Sequence, residues 1–196
     1  MIPNTLTVLR LISVPFILWL AAGHTPDRQA CALGLFLLAS LTDWLDGYIA
    51  RVHNSITLFG TIMDPVTDKI LVLGLLFVFH EKHLVPLWIV LVNLFRELFV
   101  SGIRQAKSSD GRIVGATWMG KLKFCIQTLA IAWVLLYLAV KPTDTITPQD
   151  KQVVYFSVLA MTAISIVLAL NFFRWHSRGM LTRQTKTAAE GTSVEH

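Results

Sequence analysis

Residues 43–68 read DWLDGYIARVHNSITLFGTIMDPVTD. At about 100° per residue on an α-helix, Asp43, Asp46, Gly47, Ala50 and Arg51 project into one arc, and Gly60, Asp64 and Asp68 fall on one face of the helix that follows. Turned together, the two faces enclose four carboxylates, one guanidinium and two positions without a side chain. Gathered carboxylates repel one another and lose hydration unless a counter-charge is present. A divalent cation supplies that charge, and an all-oxygen donor set without His or Cys suits Mg²⁺ or Mn²⁺ better than Zn²⁺. Gly47, Gly60 and the small Ala50 let a flat or phosphorylated ligand approach the backbone. These residues point to a metal-assisted site for a diphosphate substrate.

The sequence around this stretch is apolar. Of 196 residues, 54% are hydrophobic, and the mean hydropathy of +0.60 belongs to a membrane protein rather than a soluble domain of this length. The net charge of +5 does not signal nucleic acid, because the basic residues are dispersed between apolar spans. Anionic lipid headgroups and phosphorylated substrates fit better. Cys31 and Cys125 both lie inside apolar runs, so no disulfide framework is indicated and both are expected to be small buried hydrophobes.

A bilayer is crossed by ~17–25 apolar residues, and six such spans can be drawn, at about 5–22, 29–50, 61–80, 84–106, 115–139 and 152–174. The expected fold is therefore an all-α integral membrane protein with six transmembrane helices, its membrane domain covering 1–176 and a flexible polar tail 177–196. With the N-terminus in the cytoplasm, the inner side collects Arg10, Arg51, Arg96, Arg104, Lys107, Arg112, Lys121, Lys123, Arg174, Arg178, Arg183 and Lys186, while the outer side holds Arg28, Lys82, Lys141 and Lys151. This asymmetry places the aspartates in a polar cavity facing the cytoplasm. Trp19, Trp44, Trp88, Trp118 and Trp175 lie near span ends, where an interfacial aromatic belt puts them.

An aspartate at the centre of a spanning helix costs about 2.5–3.5 kcal/mol on insertion scales. Four of them together demand a hydrated cavity filled with cations. A polar seam between helices would explain the carboxylates, but needs neither glycine at 47 and 60 nor arginine at 51.

The pattern D-x-x-D-G-x-x-A-R, eight residues, then G-x-x-x-D-x-x-x-D resembles the signature of the CDP-alcohol phosphatidyltransferases, with every position filled. The resemblance implies a membrane enzyme with two metal ions that moves a phosphatidyl group from CDP-diacylglycerol to an alcohol and releases CMP. It further implies that Asp43, Asp46, Asp64 and Asp68 hold the metals, that Asp68 also activates the acceptor hydroxyl, and that the protein is a homodimer. Under it, Asp43, Asp46, Gly47, Ala50, Arg51 and Gly60 receive the CDP-lipid. A fixed planar guanidinium at 51 suits diphosphate oxygens.

A second group of residues lies in FRELFVSGIRQA (95–106) and GKLKF (120–124). Arg96 and Arg104 stand eight residues apart, about 80° on a helix, and share a broad face; Glu97 falls on a neighbouring one. Together with Lys121 and Lys123 they form a basic cup for a phosphorylated acceptor, although lysines at a span end also serve as inner-side anchors. This group and the opening IPNTLTVLR resemble the bacterial phosphatidylglycerophosphate synthase branch, so the implied acceptor is sn-glycerol 3-phosphate and the implied location a bacterial cytoplasmic membrane. Phe124 departs from the Thr usual in that branch. Rival readings are another acceptor in the same family (inositol phosphate, serine or phosphatidylglycerol), a membrane prenyltransferase, and a divalent-cation transporter using the aspartates as its ion site.

Overall fold

The structure is a computed structural model that describes the backbone of residues 2–53, 58–109, 118–141 and 145–192, and the side chains of 9–42, 66–103, 120, 122–141 and 145–174. Within them the chain is all helical: α1 (Ile2–Ala22), α2 (Pro26–His53), α3 (Leu58–Glu81), α4 (Leu87–Ser109), α5 (Trp118–Val140) and α6 (Pro148–Thr192). Each expected span lies largely inside one helix.

Helix ends follow capping chemistry rather than hydropathy. At the end of α3 the Leu84 N–H donates to the Phe79 carbonyl at 3.0 Å and the His83 N–H to the His80 carbonyl at 2.8 Å. This is a Schellman turn, and its left-handed position is filled by His83 at φ 56° rather than by glycine. Leu84 and Phe79, the two apolar partners such a turn brings together, are both buried. The His80 ring nitrogen Nδ1 donates to the Val85 carbonyl at 2.9 Å. Apolar Leu84 and Val85 are thus spent on the turn, so α4 begins at Leu87 rather than at the expected 84.

The start of α6 is fixed by Thr147, Pro148 and Asp150. The Asp150 N–H donates to Thr147 Oγ1 at 3.3 Å, and Asp150 Oδ2 accepts from the Thr147 N–H at 2.9 Å. This is a reciprocal capping box with proline at the first helical position, where no N–H is needed. Asp150 Oδ1 also accepts from Lys141 Nζ at 2.7 Å and from the Tyr137 hydroxyl, tying the end of α5 to the start of α6. The hydrogen bond to Asp150 raises the pKa of the exposed Lys141 ammonium above its ordinary value, so it stays charged at neutral pH. At the other end α6 continues to Thr192, past the expected span end at 174, through a segment that contains no proline.

The helices α1 and α2 pack on each other, α1 packs on α3, α2 on α5, α5 on α6, and α4 bridges α3 and α6. All six contribute to one core, with Ile17, Phe36, Leu75, Phe79, Ile89, Leu135 and Val154 almost fully buried. Gly74 lets α1 lie close against α3, because a Cβ there would stand 2.7 Å from Leu18 Cδ1. The C-terminal carbonyls of α1 are satisfied by side chains: Arg28 Nη2 donates to Trp19 O at 3.0 Å, Gln29 Nε2 to Ala21 O at 2.9 Å, and Lys82 Nζ to Gly23 O at 2.5 Å.

Outside the core every helix carries large apolar side chains on its outer surface, among them Phe16, Leu38, Phe77, Phe95, Leu129 and Phe156. Two helices are long and apolar enough on their own to cross a bilayer, Leu122–Val140 and Pro148–Arg174, among the described residues. Trp19 and Trp88 are exposed, as belt residues should be; the side chains of Trp44, Trp118 and Trp175 lie outside the described residues. The expectation for the cysteines is corrected, since Cys31 and Cys125 are both exposed. In a chain that exposes many large apolar side chains, apolar neighbours in sequence do not imply burial.

Candidate active site

The signature residues occupy the ends of two consecutive helices. Asp43, Asp46, Gly47, Ala50 and Arg51 lie in the last three turns of α2, before it ends at His53; Gly60, Asp64 and Asp68 lie in the first three turns of α3. Asp64 and Asp68 are one turn apart and share a face. Of this set the described side chains include only Asp68, which is partly buried; those of Asp43, Asp46, Gly47, Ala50, Arg51, Gly60 and Asp64 lie outside them. Among the described residues no three His, Cys, Asp or Glu side chains gather at one point, and three of the four signature carboxylates are not among them. Four carboxylates on two consecutive helix ends would make an all-oxygen donor set, the kind a hard divalent cation takes.

The second group is more fully defined. Arg96 Nη1 donates to Glu97 Oε1 at 2.7 Å, and Lys123 Nζ reaches the same oxygen at 2.5 Å. All three side chains are mostly withdrawn from the surface, with exposures of 11% for Arg96, 7% for Glu97 and 18% for Lys123. One carboxylate thus joins α4, which carries Arg96 and Glu97, to Lys123 on α5. Arg96 and Lys123 meet at this one carboxylate; Arg104 and Lys121 belong to the same helices, with side chains outside the described residues. Glu97, placed on a neighbouring face by helical spacing, instead sits between the two cations. The clue was the bare Arg-Glu pair within an apolar run, since a lone carboxylate there needs a partner.

One turn deeper lies a polar layer that spacing did not reveal. Asn93 Nδ2 donates to Thr162 Oγ1 at 2.8 Å, joining α4 to α6. Gln127, one turn beyond Lys123, and Ser165 on α6 are buried, and neither Gln127 Nε2 nor Ser165 Oγ has a hydrogen-bond partner among the described residues. Both line a narrow groove between α5 and α6, together with Lys123, Ile126, Met161, Ile164 and Leu168. On α1, Arg10 is buried while Asn4 and Thr5 have side chains outside the described residues.

Chemically, two cations held on one carboxylate can bind the phosphate of an acceptor, and aspartates at two consecutive helix ends would hold the ions that a substrate's diphosphate requires.

Comparison with known proteins identifies the family. A family model described as CDP-alcohol phosphatidyltransferase matches residues 1–175. A Bacillus subtilis protein named CDP-diacylglycerol–glycerol-3-phosphate 3-phosphatidyltransferase is 36% identical over 148 residues, covering 69% of this chain and 77% of its own. Proteins of the same name from Cereibacter sphaeroides and Escherichia coli K12 are 36% identical over 152 residues and 37% identical over 142, covering 76% and 68% of this chain and 69% and 76% of their own.

Proposed function

Because this chain belongs to the CDP-alcohol phosphatidyltransferase family, we propose that it transfers the phosphatidyl group of CDP-diacylglycerol to sn-glycerol 3-phosphate, giving phosphatidylglycerophosphate and CMP. The observation that carries the acceptor choice is the seating of Arg96 and Lys123 on one carboxylate, within a chain whose Bacillus subtilis and Escherichia coli relatives are named for that reaction. A phosphorylated acceptor needs a cationic seat near the reacting centre, whereas serine does not.

In this reading Asp43, Asp46, Asp64 and Asp68 hold two Mg²⁺ or Mn²⁺ ions. When bound, these ions offset the charge of the diphosphate and of the departing CMP. Gly47, Ala50 and Gly60 leave room for the cytidine and its phosphates to lie against the backbone, and Arg51 donates to the diphosphate oxygens. Arg96, Arg104, Lys121 and Lys123 hold the acceptor phosphate. Asp68 takes the proton from the acceptor hydroxyl as its oxygen attacks the β-phosphorus, the one bearing the diacylglycerol; the bond between that phosphorus and the bridging oxygen breaks and CMP leaves.

The protein spans the membrane six times with both termini and the active site on the cytoplasmic side, and works as a homodimer in a bacterial cytoplasmic membrane. Apolar side chains exposed on all six helices support the spanning, because a soluble protein of this size does not leave such a surface uncovered. The lipid tails reach the site sideways from the bilayer, and the two polar partners come from the cytoplasm.

The test is CMP release by the purified protein with CDP-diacylglycerol and a panel of alcohols, with and without a chelator. Release with glycerol 3-phosphate that stops on chelation and returns with Mg²⁺ or Mn²⁺ is expected. Release with serine, inositol phosphate or phosphatidylglycerol but not with glycerol 3-phosphate would replace the acceptor, and metal flux in liposomes without any CMP would favour a transporter.

A further inference from the structure

Resting on that reading, we infer that Glu97 is a positioning residue of the acceptor site: its carboxylate holds Arg96 and Lys123 side by side so that their remaining donors face one phosphate. Glu97 itself touches no reacting atom.

The geometry makes the case. Both cations reach a single oxygen, Glu97 Oε1, at 2.7 and 2.5 Å, from two different helices. A Lys ammonium has three donors and an Arg guanidinium five, so each keeps donors beyond the one given to Glu97. The Arg96 Nε–H is buried and has no partner among the described residues. Leaving such a donor unmade is costly unless a ligand or water completes it. A phosphate brings several strong acceptor oxygens and matches the fork of a guanidinium.

Charge leads to the same assignment. Without Glu97, two cations this close and this poorly hydrated repel each other and swing apart. With Glu97 the trio keeps one net positive charge and a fixed shape, so an arriving dianion meets a ready-made seat instead of having to assemble one.

The opposite role is physically distinct. If Glu97 merely occupied the donors and competed with the incoming phosphate, removing its charge would tighten phosphate binding. Positioning predicts that removal loosens it.

The experiment compares wild type, Glu97→Gln and Glu97→Asp, each as the full chain in detergent micelles, by two readouts. In CMP release, Glu97→Gln is expected to raise the KM for glycerol 3-phosphate about tenfold or more while changing the KM for CDP-diacylglycerol less than twofold, with Glu97→Asp in between. In thermal unfolding, inorganic phosphate is expected to raise the melting temperature of wild type and to lose that effect in Glu97→Gln. An unchanged or lowered KM for glycerol 3-phosphate, equal rises in both KM values, or no phosphate effect on wild type overturns the assignment. Should Glu97→Gln fail to fold, Glu97→Asp keeps the charge and supplies both readouts: a raised KM for glycerol 3-phosphate alone sustains the proposal, and an unchanged one overturns it. If wild type makes no CMP with glycerol 3-phosphate, the functional reading fails separately, and the phosphate-dependent melting shift still decides whether Glu97 organises an anion seat.

Discussion

Asp68 carries the sharpest prediction among single residues. If it takes the proton of the acceptor hydroxyl, Asp68→Asn keeps the shape and loses the base. CMP release should then fall by about 10²–10⁴-fold, the usual worth of general-base catalysis. Binding of CDP-diacylglycerol, followed by calorimetry, should weaken less than in Asp43→Asn; equal weakening would make Asp68 a metal ligand and nothing more. Lys123→Met should raise the KM for glycerol 3-phosphate more than that for CDP-diacylglycerol, and the reverse pattern would move Lys123 to the donor side. At this scale the sequence was legible wherever residues carry an unusual cost. Aspartates and arginines inside apolar runs stand out because a membrane penalises buried charge. The role of Glu97 was not legible, because residues adjacent in a helix project about 100° apart and do not ordinarily face each other. It took Lys123, arriving from another helix, to turn Glu97 and Arg96 toward one point.

Whole elements followed hydropathy in their bodies and departed from it at their ends. Six apolar runs became six helices, but the start of α4 was set by the Schellman turn at His83 and that of α6 by the Thr147–Asp150 box. Such ends are decided by hydrogen bonds worth about 1 kcal/mol each, to which an average over many residues is blind. His83→Val should lower stability by about 1–2 kcal/mol, because a β-branched residue is strained in left-handed backbone; His83→Gly should not. Unfolding of the two variants in SDS-containing micelles separates these outcomes. Thr147→Ala removes the cap and should cost about 1 kcal/mol. Hydrogen exchange would show it as faster exchange in the first turn of α6, and unchanged exchange there would mean that Lys141 and Tyr137 hold Asp150 and the helix start without it.

For the molecule as a whole, charge asymmetry and apolar surface make a topological prediction. Alkaline phosphatase fused after Lys141 should be active in bacteria and a fusion after Lys107 inactive, since the enzyme matures only outside the cytoplasm; the opposite pattern would invert the protein and remove the cavity from its nucleotide supply. The class of the fold was readable because lipid rewards apolar surface wherever it lies. The division of each helix between core and lipid was not, since leucine serves both sides equally. Core residues Leu75 and Leu135 and outward residues Leu38 and Leu129 come from indistinguishable stretches of sequence. The same ambiguity misled the expectation for the two thiols. Cys31 lies near the beginning of α2 and Cys125 near the beginning of α5, and these two helices pack together. Both sulfur atoms look away from the interior, so nitroxide tags can be attached at both native positions without repacking it. Dipolar spectroscopy between them then provides a built-in ruler along one helix pair, able to register whether substrates shift α5 against α2 without adding a single cysteine.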